Sequence, residues 1–170
     1  MTAEQKLLLE YIRQSQFPGE ACAPAAPTVD NIDWQQLFKE AQAQSVAVLV
    51  AGEVPMSELP ADVQARWQEA ENRHLVSYIR YMAAQNELTA LLRGAGIPFA
   101  VLKGLAAAVY YREPSKRAMG DIDFIVPPEQ FERTKALMIE AGYVPAHEDI
   151  ENPRHDAFSK GSVLFELHHY

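Results

Sequence analysis

The chain has 170 residues, 48% of them hydrophobic, which is enough to bury the core of one ordinary domain with helical additions but not two independent domains. A formal net charge of −8 excludes a protein that coats nucleic acid by bulk electrostatics, because such binders carry a basic surplus; any phosphate site must be local. No basic-then-apolar leader is visible, and the longest plainly apolar run, Val46 to Ala51, is far short of the roughly 20 residues that cross a bilayer, so the chain reads as soluble and cytoplasmic with no membrane partner.

In chain order, Gln5 to Ile12 places Leu8, Leu9, Tyr11 and Ile12 among charged residues, the pattern of a short amphipathic helix ended near Pro18. The Ala/Pro-rich stretch Gly19 to Pro27 reads as a linker, and its Cys22 is the single cysteine, which excludes an intrachain disulfide. Asp33 is positioned to cap a helix running to about Val50, with Trp34, Leu37, Phe38, Ala41 and Val48 along one stripe. From Ala61 to Arg93 there is no proline or glycine. Trp67, Leu75, Ile79, Met82, Leu88 and Leu91 recur at helical intervals there, predicting one long helix or two stacked ones closed by Gly94 and Gly96.

The pattern changes at Ile97. Pro98 to Leu102 is a short apolar run suited to a buried strand, Lys103-Gly104 turns the chain, and Leu105 to Tyr111 reads as a helix. Asp121 to Val126 predicts a second strand, and Pro127-Pro128 opens a helix to about Ala141, closed by Gly142. Two more short strands are expected around Ala157-Phe158 and over Val163 to Leu167, separated by the turn-prone Lys160-Gly161. The fold class expected is α+β, close to α/β: a small mixed sheet of about three to five strands flanked by helices and preceded by a helical region.

Asp121 and Asp123 stand two apart on a predicted strand, so both carboxylates leave one face with their Cα atoms roughly 6.5 Å apart. A hard dication such as Mg²⁺ suits such a pair. Spacing alone decides nothing: about three acid pairs at this spacing are expected by chance, and three occur, Glu69/Glu71, Asp121/Asp123 and Asp149/Glu151. Context separates the second pair, because Ile122, Phe124, Ile125 and Val126 mark a buried strand where unpaired carboxylates are costly. The alternative is that the two acids cap the strand start or form ion pairs.

Between Lys103 and Gly120, Lys103, Arg112, Lys116 and Arg117 face only one acid, Glu113, a local basic surplus fit for a triphosphate. Gly104 allows close backbone approach, and the helix start after it offers free N–H groups. Lys103 would act as a point charge and Arg117 as a planar fork. Arg112 and Lys116 read more simply as solvated. Glu166 is an acid inside a second apolar strand, with an ion pair as its bland alternative, and His168 shares its face. His147, His155, His168 and His169 show no zinc-motif spacing.

Leu102-Lys103-Gly104, Tyr110-Tyr111, Pro114 to Arg117, the run Gly120 to Val126 (GDIDFIV), Ala141 to Tyr143 and Phe165 to His169 (FELHH) together resemble the largely uncharacterised nucleotidyltransferase family of the DNA polymerase beta superfamily. The likeness covers about residues 85 to 170, dividing the chain into a helical region 1–84 and a core 85–170. Relatives continue considerably beyond the point corresponding to Tyr170, which leaves two alternatives: the chain is a fragment, or the acceptor-binding part is absent. The resemblance implies transfer of a nucleoside monophosphate from an NTP to an acceptor (RNA, protein or small molecule) with Mg²⁺ or Mn²⁺. It also implies that Asp121, Asp123 and Glu166 hold the metal and carry catalysis, while the basic surplus read above puts Lys103, Gly104 and Arg117 at the phosphates. The competing reading is a catalytically silent nucleotide-binding or protein-interaction module of the same fold.

Overall fold

A computed structural model describes residues 1–19, 32–146 and 155–168; Cys22, Asp149, Glu151, His147 and His169 lie outside the described residues. The architecture is mixed α+β, with N-terminal helices and a small sheet. Its contacts group into two compact units, one comprising 1–76 with 110–118 and the other 77–109 with 119–170.

The first unit holds α1 (Ala3–Gln16), α2 (Trp34–Ala43), α3 (Ala47–Val50) and the first part of α4 (Ala61–Gly94). Thr2 and Gln5 form a reciprocal capping box, so α1 begins ahead of the expected Gln5. Asp33 caps α2 as its position predicts, its carboxylate accepting the backbone N–H groups of Gln35 and Gln36 at 3.0 Å. The single helix expected from Asp33 to Val50 is instead two. Ser45 takes a left-handed φ of 57° and the Val46 N–H reaches back to the Ala41 carbonyl at 2.9 Å, the closing bond of a Schellman stop. A serine rather than a glycine fills the left-handed position, so composition gave no warning. The break turns Leu49 and Val50 inward beside Leu37, Phe38, Val63 and Trp67. The Phe38 and Trp67 rings meet edge-on at 5.0 Å. Each of these large side chains contributes about 1.5–3 kcal/mol by leaving water.

Helix α4 is one unbroken element, although Leu75 and Ile79 in its middle remain exposed. Among the described residues no helix is long and apolar enough to cross a membrane.

Among the described residues the second unit is built on five strands: β1 (Ala100–Val101), β2 (Ile122–Ile125), β3 (Val144–Pro145), β4 (His155–Lys160) and β5 (Val163–His168). Their order is β1-β2-β5-β4-β3, with β2 and β5 parallel and every other pair antiparallel. Strand β4 is longer than Ala157-Phe158, and the turn into β5 is Gly161-Ser162, because Lys160 and Val163 are themselves paired. The helix expected over Leu105 to Tyr111 shrinks to the single turn α5 (Leu105–Ala108). After Pro127 the chain makes a short 3-10 turn and then α6 (Phe131–Glu140).

Strand alternation sorts the sheet into two chemically different faces. Val163, Phe165 and Leu167 of β5 are buried beside Ile122 and Phe124 of β2, in one cluster with Leu88 and Leu92 of α4 and Met138 of α6. The residues between them, Glu166 and His168 on β5 and Asp123 on β2, leave from the opposite face. The register fixes this, since Asp123 lies directly across from Glu166.

Candidate functional site

Asp123 is fully buried, yet it sits among charges. Its Oδ1 accepts a hydrogen bond from the Lys103 ammonium at 2.9 Å and another from Nε2 of His168 at 2.8 Å. Among the described residues its Oδ2 is buried without a hydrogen-bond partner. An unsatisfied buried acceptor costs about 1–3 kcal/mol, so this orphan oxygen needs a reason. Glu166 lies beside it, with Oε2 at 3.4 Å from His168 Nε2 and 3.9 Å from His155 Nδ1. The rings of His155 and His168 are 5.4 Å apart, held by pairing of their backbones across β4 and β5.

The electrostatics follow from this crowding. Burial acts to raise the Asp123 carboxyl, but the hydrogen bonds from Lys103 and His168 outweigh it and hold the group below the usual carboxylate range. Glu166 moves the other way: burial and the negative charges of Asp121 and Asp123 raise it, against the pull of His155. Lys103 is held more firmly protonated, chiefly by its hydrogen bond to Asp123. Two carboxyl groups on adjacent strands are thus pushed apart in acidity, as in sites that assign different tasks to paired acids.

Among the described residues, Asp123, Glu166 and His168 offer ligand atoms that all lie within 4.8 Å of one another. This donor set, together with the partnerless Oδ2, fits a divalent cation. Asp121 precedes β2 and is not one of these three, although its charge acts on Lys103, Glu166 and the Tyr81 hydroxyl. Tyr81 fixes the entrance to β2 by donating to the Gly120 carbonyl at 2.6 Å.

Of the residues expected at the phosphates, Lys103 and Gly104 adjoin this cluster. Gly104 adopts φ 59° and ψ −123°, which side chains rarely allow, while a Cβ there would meet only the Asp121 carbonyl at an ordinary 3.7 Å. Backbone strain, not space, requires glycine. Gly104→Ala is expected to lower stability by about 1–3 kcal/mol, read by thermal melting; an unchanged melting temperature would contradict it. The free N–H groups expected at the following helix start are largely missing, because α5 is one turn and the Ala106, Ala107 and Ala108 N–H groups are already taken up by the Lys103 and Gly104 carbonyls. Arg117 belongs to the first unit, where it donates to the Ala118 carbonyl at 3.2 Å and lies 6.0 Å from the Tyr111 ring centre. Lys116 pairs with Glu113 at 3.0 Å.

His168 and His155 were not legible as site residues from motif spacing. The available signal was strand parity: His168 is two residues beyond Glu166 and must share its face.

A family model described as an uncharacterised nucleotidyltransferase matches residues 30–170. No curated protein and no solved structure gives a match.

Proposed function

We propose, from the premise that the chain belongs to the family of uncharacterised nucleotidyltransferases, that it transfers a nucleoside monophosphate from an NTP to an acceptor with the aid of Mg²⁺ or Mn²⁺, in the manner of the DNA polymerase beta superfamily. The observation that carries this reading is the buried Asp123, with its orphan oxygen, set across from Glu166 on the polar face of the sheet. Asp123, Glu166 and His168 would hold the dication, with Asp121 adding negative charge beside them; the ion supplies charge neutralisation at the phosphates. In the reaction the acceptor oxygen bonds to the α-phosphorus, and the bond from that phosphorus to the bridging oxygen of pyrophosphate breaks. The acceptor's proton goes to a base. Glu166, on the polar face directly across from Asp123, is the carboxylate placed for that task.

Lys103 is the phosphate contact this reading assigns. Its side chain is 60% exposed even while its ammonium touches Asp123, so it is free to swing toward an incoming triphosphate. Lys103→Ala is expected to weaken NTP binding by about 1.5–3 kcal/mol, the size of a charge-assisted contact. Calorimetric titration of the wild type and the variant with an NTP and Mg²⁺ measures this. Equal affinities would remove Lys103 from the phosphate site.

A further inference from the structure

We infer that His168 is a direct metal ligand and that it sets the ion preference of the cluster, selecting a first-row transition dication over Mg²⁺. This rests on the reading of the cluster as the metal centre of a nucleotidyltransferase. A metal site made only of carboxylates is suited to Mg²⁺, which prefers oxygen ligands and retains its waters. Here one of the three convergent donors is an imidazole nitrogen. Nε2 of His168 lies 2.8 Å from Asp123 Oδ1 and 3.4 Å from Glu166 Oε2, so the imidazole nitrogen converges with both carboxylates on one small volume. Imidazole nitrogen binds Mn²⁺ and the later first-row ions better than it binds Mg²⁺.

Two features keep His168 in the site. Its backbone is paired with His155 on β4 and aligned with Ile125 on β2, so the strand cannot turn the ring to the apolar face without losing register on both sides. The His155 ring, tilted against it at 5.4 Å, borders it on the β4 side. Asp123 contributes a further donor, since among the described residues Oδ2 remains without a hydrogen-bond partner while Oδ1 answers Lys103; the lysine and a dication need not compete for one atom. His155 is a positioning residue in this arrangement, acting on Glu166 and on the His168 ring.

The test uses the full chain without nucleotide. Mn²⁺ is titrated in and followed by electron paramagnetic resonance, with pulsed detection of nitrogen coupling. One Mn²⁺ per chain is expected, coupled to a nitrogen whose signature changes when histidine is isotopically labelled. The coupling should vanish in His168→Gln, survive in His155→Gln, and be lost to Mg²⁺ only at an excess of about tenfold or more. The labelled wild type needs no substitution, so a poorly folding His168→Gln does not weaken the test. Failure to bind Mn²⁺, bound Mn²⁺ without nitrogen coupling, coupling that persists in His168→Gln, or displacement by equimolar Mg²⁺ would each overturn the inference. Because no nucleotide is present, a nitrogen-coupled Mn²⁺ in a chain that binds no NTP upholds His168 as a ligand and removes only the transferase reading.

Discussion

Asp123→Asn is expected to abolish dication-dependent NTP binding and to reduce transfer by on the order of 10³-fold or more, because loss of the shared carboxylate removes several kcal/mol of charge stabilisation. The fold should persist. Lys103 is mostly exposed and can return to water, so the variant loses only about 1–3 kcal/mol from weakened charge-assisted hydrogen bonds. The pH dependence has a definite sign. Asp123 has its folded pKa depressed, so its stabilisation is present above its unfolded value of about 3.9 and disappears as pH falls through the folded value. The wild-type advantage in melting temperature should therefore be constant near neutrality and vanish in strong acid. An Asn variant that binds an NTP with its dication as tightly as the wild type would remove Asp123 from the site.

Glu166→Gln should have the opposite effect on the metal-free protein. Its folded pKa is raised, so the stability it contributes is present below its unfolded value of about 4.3 and is lost as pH rises through the folded value. At neutral pH the ionised carboxylate, beside Asp121 and Asp123, destabilises the fold, and the neutral amide relieves that repulsion. The metal-free variant should melt higher than the wild type at pH 7, with the difference closing toward acid. Saturating dication reverses the ranking, since a ligand at 100 times its Kd stabilises the wild type by about 2.7 kcal/mol and the variant hardly at all. Transfer should fall by about 10²–10⁴-fold, the range for a lost general base. If the variant instead melts lower and transfers normally per folded molecule, Glu166 is a structural partner of His155 and His168.

These two residues also show how far the sequence could be read. Acids flanked by Ile122, Phe124, Phe165 and Leu167 are legible because a buried strand tolerates a carboxylate only for a reason. The sheet's two faces follow from the same alternation. The register that sets Asp123 across from Glu166 is a non-local fact, fixed by parallel pairing of strands about forty residues apart in sequence, and no local pattern encodes it. Strand parity puts His168 on the Glu166 face, but its partners were hidden for that reason: they come from β2 and β4, not from a neighbouring motif. The Ser45 stop and the one-turn α5 were missed for local reasons. Serine seldom takes a left-handed φ, and the alanines of Leu105 to Ala108 favour a helix that the following chain does not continue.

The most direct measurement is calorimetric titration of the full chain with a non-hydrolysable NTP analogue, in Mg²⁺, in Mn²⁺ and in chelator, for the wild type and for Asp123→Asn. One saturable site per chain that requires the dication and disappears in Asp123→Asn is the predicted result. Binding that persists in chelator and is unchanged by Asp123→Asn, or no binding under any of these conditions, would contradict a metal-dependent nucleotide site on this face of the sheet.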